Sequence, residues 1–213
     1  MTSVDIKKVR KDLYSPTTTP TVVDVPAMAF IMVDGQGDPN TSVEYSSALE
    51  ILYGLSYSIK MSKMGPDKPE GYYEYVVAPL EGLWSLGDDF DGSVLDRKNE
   101  FQWTAMIGQP KFVTDEVFAA AQEKVSVKKG LDVSRARLTE FYEGLCAQIL
   151  HIGPYDDEPR SIATLNRFIS DSGYRLDISA TRRHHEIYLG DPRKTAPEKL
   201  KTIIRHPIAT ISN

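Results

Sequence analysis

The strongest constraint on this chain is an internal repeat. The order strand, Gly-containing turn, helix, strand, strand occurs twice, as shown by setting FIMVDGQGDPNTSVEYSSALEIL (30–52) beside QILHIGPYDDEPRSIATLNRFI (148–169). In both segments an apolar strand ends in a turn, and a helix with acidic residues at its start follows. Two half-domains of about 80 to 100 residues can share one core. We therefore predict an α+β fold made of two strand-helix-strand-strand modules.

The first module is predicted at about residues 21–130. PAMAFIMVDG (26–35) has the composition of a buried strand, and a helix is predicted to open at Thr41, with Glu44 completing a capping box. Apolar residues at helical spacing predict one buried helix face, formed by Ala48, Leu52, Leu55 and Ile59. Strands are predicted at 72–84 and 100–107, and a further helix at 115–128. The acidic, Gly-containing segment 85–100 is long enough to be a lid or a mobile loop.

The second module is predicted at about residues 138–213. Its predicted elements are a strand at 144–153, a helix at 158–172, a strand at 184–190, a short helix at 195–203 and a final strand at 206–212. Residues 1–20 are predicted to be a short charged helix, at 6–13, followed by an extended Pro/Thr spacer. The domain proper is expected to be 21–213.

Composition excludes several functional classes. The formal net charge of −5 argues against a general binder of nucleic acid or of anionic membranes. A single cysteine, Cys146, excludes an internal disulfide and a cysteine-built zinc site. The charged N-terminus does not resemble a signal peptide, and no apolar run is long enough to cross a bilayer. We expect a cytoplasmic protein with no cofactor, no metal, no direct contact with nucleic acid and no membrane contact. The oligomeric state is not predicted.

Strand parity draws attention to Glu186. Alternate side chains of a strand face opposite sides, so Glu186 and Tyr188 share one face and Ile187 lies on the other. The Ile187 face is predicted to be core packed on helices. The Glu186 face is predicted to be either solvated or one wall of a groove on the sheet side away from the helices. In such a groove Glu186 would pair with a cation or transfer a proton; otherwise it is a surface carboxylate paired with an arginine.

Four blocks of sequence carry a resemblance that extends from about Ala27 to the C-terminus. PLEGLW, FQWTAMIGQPKFVTDEVF, EGLCAQILHIGPYDDEP and HHEIYLGDPRKTAPEKLKTIIRHPI, in this order, resemble the stand-alone GyrI-like small-molecule-binding proteins. The resemblance implies two modules in pseudo-two-fold arrangement with a ligand cleft between them. It also implies that the partner is a planar, hydrophobic and often cationic small molecule, held by aromatic walls and a deep acid.

The residue that matches this acid is Glu186, which becomes the candidate catalytic residue. The candidate ligand-binding residues are Trp84, Trp103, Tyr155, Tyr188, Phe101 and Met106. Some stand-alone members hydrolyse cyclopropane-bearing DNA-alkylating compounds, whereas related domains are effector modules of multidrug-responsive activators. The sequence thus leaves three functions open: a detoxifying hydrolase, a protein that binds or sequesters multiple drugs without turnover, and a topoisomerase-interacting protein.

Overall fold

The fold is taken from a computed structural model, which describes residues 3–65, 68–87 and 90–211. The helices are α1 (Ile6–Val9), α2 (Lys11–Tyr14), α3 (Val43–Met61), α4 (Asp115–Lys129) and α5 (Glu158–Asp171). The strands are β1 (Thr21–Val25), β2 (Met28–Gln36), β3 (Leu80–Ser85), β4 (Gln102–Gly108), β5 (Arg137–Phe141), β6 (Gly144–Ile152), β7 (Tyr174–Leu176), β8 (His184–Tyr188) and β9 (Lys201–Thr210). The predicted α+β class is confirmed.

The sheet displays the two predicted modules. Its strand order is β1-β6-β9-β8-β3-β4-β2-β5, and β7 pairs with β9 outside this path. The sheet is antiparallel at every pairing on this path. Outward from the central pair, β8, β9 and β6 of the second module match β3, β4 and β2 of the first. The two modules are therefore related by a pseudo-two-fold axis between β3 and β8.

The outermost strands are exchanged between the modules. Strand β1 precedes β2 in the chain but pairs with β6, and β5 precedes β6 but pairs with β2. The links from β1 to β2 and from β5 to β6 are each two residues long, at 26–27 and 142–143. Each module thus receives its edge strand from the segment that leads into the other.

The two long helices of the modules pack on the same side of the sheet. Helix α3 buries its predicted apolar face, which includes Leu52 and Leu55, against a cluster that contains Ile31 of β2 and Ile107 of β4. Helix α5 forms a second cluster with β6 and β9. The opposite side of the sheet packs on the N-terminal helices, through Leu13 and Tyr14 of α2.

Three predictions about the N-terminal half are corrected. The predicted helix 6–13 is two four-residue helices, because Arg10 between them leaves helical geometry. Helix α3 is capped by Ser42, whose hydroxyl accepts a hydrogen bond from the Tyr45 amide at 3.2 Å, so the capping box predicted at Thr41 is wrong by one residue. The strand predicted at 72–84 is regular only from Leu80, after Pro79, which has no amide hydrogen to donate to a strand pairing.

The predicted helix 195–203 is also wrong. Only a single 3-10 turn forms, at Pro197–Lys199, and Ile203 belongs to β9. The β-branched run of Thr202, Ile203 and Ile204 favours a strand, and β9 is buried between β6 and β8. Strands β1, β5 and β7 were not predicted. In the segment predicted to be a lid or a mobile loop, residues 88 and 89 lie outside the described residues, and Phe90 is buried.

Candidate functional site

A cleft of about 1460 Å³ opens on the helix side of the sheet, at the junction of the two modules. Its floor is the central pair β3 and β8, and its sides come from α3, from the segment 90–101 and from the start of α5. This corrects the prediction that the groove lies on the sheet side away from the helices. Glu186 lies on the same side of the sheet as the long helices and is still accessible, because α3 and α5 leave the centre of the sheet uncovered between them.

The register of β3 and β8 fixes the floor. Trp84 lies opposite His184, Gly82 opposite Glu186, and Leu80 opposite Tyr188. The Glu186 side chain is 15% exposed, which leaves it accessible from the cleft. The predicted parity of β8 is correct, since His185 and Ile187 lie on the opposite face.

Both oxygens of Glu186 are hydrogen-bonded. Oε1 lies 2.9 Å from His184 Nε2, and Oε2 accepts a hydrogen bond of 2.6 Å from the Tyr188 hydroxyl. The Tyr188 oxygen in turn accepts a hydrogen bond of 3.1 Å from the Trp84 indole. Since charge-assisted hydrogen bonds of this kind are the strong ones, the carboxylate is held in one orientation.

Gly82 makes room for the Trp84 indole. A Cβ atom on Gly82 would lie 2.7 Å from Trp84 Nε1 and 3.2 Å from Cε2, both closer than unstrained contact. The indole therefore lies across the glycine, in reach of Tyr188. The glycine of the PLEGLW block is needed for this close approach rather than for a turn.

Aromatic rings form much of the cleft. Tyr45 of α3 lies 5.9 Å from the Trp84 ring, and Tyr155 packs edge-on against Tyr188 at 5.8 Å. Phe101 packs edge-on against Trp84 at 5.9 Å, and Phe90 lies 5.1 Å from Phe101. These rings supply apolar surface with little conformational freedom, which suits a flat ligand.

A second carboxyl group, Glu158, lies close to Glu186. Burial, and then the charge of Glu186, raise the pKa of Glu158 well above its ordinary value. Burial alone would also raise the pKa of Glu186, but the hydrogen bonds from His184 and Tyr188 outweigh it and the pKa of Glu186 is lowered. Of the two carboxyl groups, Glu158 is therefore the one that holds a proton more readily and Glu186 the one that ionises more readily. Glu158 Oε1 has no hydrogen-bond partner among the described residues.

Glu158 is directed to the cleft by the start of α5. Gly153 has a φ of 138° and ends β6 in a turn, and Pro159 occupies the first turn of the helix, where a missing amide hydrogen costs nothing. The helix therefore begins at Glu158, over the floor of the cleft.

The structure brings together five of the seven predicted site residues. Glu186, Trp84, Tyr155, Tyr188 and Phe101 line the cleft. Trp103 is 1% exposed and lies behind Tyr45, at a ring distance of 4.9 Å, so it supports the wall without facing the cleft. Met106 is on the opposite face of the sheet, packed with Phe30, Met32 and Leu83.

The sequence reasoning missed Tyr45, His184 and Glu158. His184 shares the parity of Glu186, so the pattern that singled out the acid also contained this partner. Tyr45 lies one turn before Ala48 on the predicted apolar face of α3. Glu158 carried no local signal, because its proximity to Glu186 arises only from the packing of α5 on the sheet.

The other face of the central strands carries a buried network of charges. His185 Nδ1 lies 3.0 Å from Glu143 Oε1, and Arg205 Nη1 lies 2.9 Å from Glu143 Oε2. His185 Nε2 is also 3.0 Å from Glu81 Oε2, without hydrogen-bond geometry, and Tyr14 donates to Glu81 at 2.8 Å. All these side chains are almost inaccessible to solvent. The network therefore contains two carboxyl groups, Glu81 and Glu143, and two basic groups, His185 and Arg205.

No cluster of three or more potential metal ligands occurs in residues 3–65, 68–87 and 90–211. In the same ranges, no helix has the length and apolarity required to span a membrane.

Comparison with known proteins identifies the fold and its relatives. The family model for the GyrI-like small molecule binding domain matches residues 18–209. A conserved protein of Listeria innocua, known from its crystal structure, is 45% identical, with a TM-score of 0.91 over 97% of this chain and all of that one. A hydrolase from Listeria innocua is 44% identical, with a TM-score of 0.90 over 98% of this chain and all of that one.

A more distant structure shares the fold. The EcmrR C-terminal domain is 14% identical, with a TM-score of 0.52 over 90% of this chain and 98% of that one. No curated protein is similar enough to the chain to count as a match.

Proposed function

This chain belongs to the GyrI-like small molecule binding domain family, and from that premise we propose that it binds planar hydrophobic small molecules in the cleft and hydrolyses those that carry a reactive cyclopropane. The observation that carries the proposal is the pair of carboxyl groups, Glu158 and Glu186, at the base of an aromatic cleft, with their pKa values moved in opposite directions. Such divergence assigns an acid and a base within one site.

The cleft is more than large enough for a drug-sized, flat ligand. Its volume of about 1460 Å³ exceeds the range of about 300 to 1000 Å³ that is usual for such sites. The rings of Tyr45, Trp84 and Tyr155 offer surfaces for stacking. The ionised Glu186 favours ligands with a positive charge, and stacked rings also attract cations.

The proposed reaction opens a cyclopropane fused to a conjugated dienone. Water attacks a ring carbon, one carbon–carbon bond of the cyclopropane breaks, and its electron pair moves to the dienone oxygen, which becomes a phenol oxygen. Glu186 accepts the proton that water loses, and Glu158 donates a proton to the developing phenolate. The two carboxyl groups then exchange one proton to restore their starting states. The hydrolase from Listeria innocua, at 44% identity, makes a hydrolytic role for this chain the favoured choice.

Binding without turnover is the second candidate. It is favoured by the hydrogen bonds from His184 and Tyr188, which occupy both oxygens of Glu186. A carboxylate fixed in this way attracts a cation without needing to accept a proton. The same residues serve both functions, so only turnover distinguishes them.

The test is incubation of the protein with a cyclopropane-bearing dienone, following the dienone absorbance and the mass of the product. We expect ring opening by the wild type, loss of turnover in Glu186→Gln with affinity kept within a few-fold, and a similar loss in Glu158→Gln. Glu198→Gln, which alters an exposed glutamate outside the cleft, is the matched control and should react as the wild type does.

Two outcomes would count against hydrolysis. Equal turnover by Glu186→Gln would exclude this residue as the base. Tight binding by the wild type with no product would leave the binding function alone, and in that case Glu186→Gln should weaken cations much more than neutral molecules of the same shape.

A further inference from the structure

A chain of hydrogen bonds connects Glu186 to Asp91, in the segment at the mouth of the cleft. His184 Nε2 lies 2.9 Å from Glu186 Oε1, and His184 Nδ1 lies 2.9 Å from His206 Nε2. His206 Nδ1 then lies 3.1 Å from Asn166 Oδ1, and Asn166 Nδ2 donates to Asp91 Oδ2 at 2.8 Å. Both histidines are 0% exposed.

The direction of these hydrogen bonds, from donor to acceptor, is fixed by Asp91 at one end of the series. Asp91 Oδ1 accepts hydrogen bonds from the amide and the hydroxyl of Ser93, and Oδ2 accepts from Asn166. Burial would raise the pKa of Asp91, but these hydrogen bonds from Ser93 and Asn166 lower it, so Asp91 is an ionised acceptor. Asn166 must therefore turn its amide nitrogen to Asp91 and its oxygen to His206.

Each following group then has one permitted arrangement. Since Asn166 presents an oxygen, His206 must carry its proton on Nδ1, and a neutral imidazole with Nδ1–H has an unprotonated Nε2. Burial, and then the charge of His184, lower the pKa of His206 to about 3, which keeps this ring neutral. The unprotonated Nε2 can only accept, so His184 must donate from its own Nδ1.

The chain ends with one proton between His184 Nε2 and Glu186 Oε1. The Trp84 indole can only donate, so the Tyr188 oxygen accepts from it and gives its own proton to Glu186 Oε2. The remaining contact, from His184 to Glu186, needs one proton to be a hydrogen bond. Because the pKa of Glu186 is lowered, this proton lies on His184 Nε2, and the pair is an imidazolium beside a carboxylate, with a net charge of zero.

We propose that Asp91, acting through Asn166 and His206, keeps one proton on the His184–Glu186 pair, so that the Glu186 carboxylate in the cleft is balanced by the His184 imidazolium. Asp91, Asn166 and His206 are positioning residues, and His184 is the group that shares the proton with Glu186. This inference rests on the proposed function, because it gives the protonation state of the acid that the ligand meets.

The loop packs tightly enough on His184 to keep this arrangement. A Cβ atom on Gly92 would lie 2.5 Å from His184 Cε1, so the backbone of the loop touches the imidazole. Phe90 packs edge-on against the same ring at 6.0 Å. Other titratable groups also face the pair and His206: Glu158, Tyr188, Tyr45, Tyr155 and, across the sheet, Glu143.

The first test reads the protons directly. Protein with ¹⁵N-labelled histidine is studied at neutral pH, without ligand, by long-range ¹H–¹⁵N correlation. We expect His206 to be neutral with its proton on Nδ1, and His184 to be protonated on Nδ1. His206 protonated on Nε2 in the wild type would overturn the proposal.

The variant Asp91→Asn should reverse the direction of these hydrogen bonds without changing which residues they join. The side-chain oxygen of the new asparagine must still accept from the Ser93 amide, so its nitrogen faces Asn166. Asn166 then has to turn its own side-chain oxygen towards that nitrogen. Asn166 then donates to His206 Nδ1, the His206 proton moves to Nε2, and His184 Nδ1 becomes an acceptor. His184 keeps a single proton, on Nε2, and the His184–Glu186 pair becomes an anion. An unchanged His206 tautomer in Asp91→Asn would refute the proposed direction.

A second variant tests the same hydrogen bonds in case Asp91→Asn folds poorly. Asn166→Leu removes the oxygen that fixes His206, so we expect loss of the Nδ1–H tautomer, while Thr164→Val on the exposed side of the same helix should keep it. Retention of the tautomer in Asn166→Leu would also overturn the proposal.

The consequence for binding is measured separately. A flat organic cation should displace the shared proton from the wild type but not from Asp91→Asn, seen as buffer-dependent heats in titration calorimetry. The histidine tautomers need no ligand and no turnover, so they test the hydrogen-bond chain even if no dienone is hydrolysed. Failure of the proposed function and failure of this inference can therefore be told apart.

Discussion

Replacing Gly82 by alanine tests whether the floor of the cleft depends on the absence of a side chain. The added Cβ would lie 2.7 Å from Trp84 Nε1, so the indole has to move. Trp84 is 4% exposed and is confined by Tyr45 and Phe101, so it cannot rotate freely. Overpacking of this kind costs about 1 to 3 kcal/mol, and the free energy of unfolding should fall by that amount in urea denaturation.

Gly108→Ala is the matched control for this experiment. It is also a strand glycine, but its Cβ would meet Ala78 and Phe30 at 3.5 Å, which is ordinary contact. We expect the free energy of unfolding to change by no more than about 1 kcal/mol. It should rise if the alanine mainly reduces the conformational freedom of the unfolded chain. The decisive test is Gly82→Ala in a Trp84→Leu background, where the clash is absent. If the full cost persists there, the steric argument is wrong.

Three further predictions concern the buried charges and the cap of α3. Arg205→Met should lower the free energy of unfolding by about 3 to 5 kcal/mol, because it leaves Glu143 buried without this partner, and adding Glu143→Gln should restore part of the loss. Burial lowers and the carboxylates of Glu143 and Glu81 raise the pKa of His185, with a net value of about 9, whereas burial raises and His185 and Arg205 lower the pKa of Glu143, to about 2. The stability that the His185 charge contributes should therefore be complete below pH 6.5 and be lost as pH rises through 9. The stability that Glu143 contributes should be complete above pH 4.5 and be lost as pH falls to 2. When unfolding is measured across pH, the fall in stability at alkaline pH should be absent in His185→Leu. Ser42→Ala should cost about 1 kcal/mol in the same assay, and Thr41→Ala almost nothing; equal effects would mean that Ser42 is not the cap.

Local patterns in the sequence were sufficient for the modules and for the main candidate. Alternation in β8 separates Glu186 from Ile187 whatever the rest of the chain does, because side-chain parity is a property of any extended strand. The same rule shows why Trp103 and Met106 could not both face the cleft. They are three positions apart on β4 and therefore lie on opposite faces.

Other features depended on contacts that no local pattern encodes. Both faces of β8 are buried, one beneath the cleft and one beside Arg205, so apolar character could not show which face the long helices cover. Strand β9 was mistaken in part for a helix because KTAPEKL resembles a helix start, whereas its neighbours β6 and β8 determine its structure. Glu158 reaches the cleft only through the packing of a helix that starts about 28 residues before Glu186 in the sequence.

The exchange of β1 and β5 between the modules has a mechanical consequence. The modules are joined by five residue pairs between β3 and β8, and each is also held by an edge strand that belongs to the other. A movement of one module against the other would have to bend the sheet at the β3–β8 pairs and carry the two exchanged edge strands with it, because each of these strands is tied to its own module by a link of only two residues. The exchange therefore works against opening and closing of the cleft by movement of whole modules.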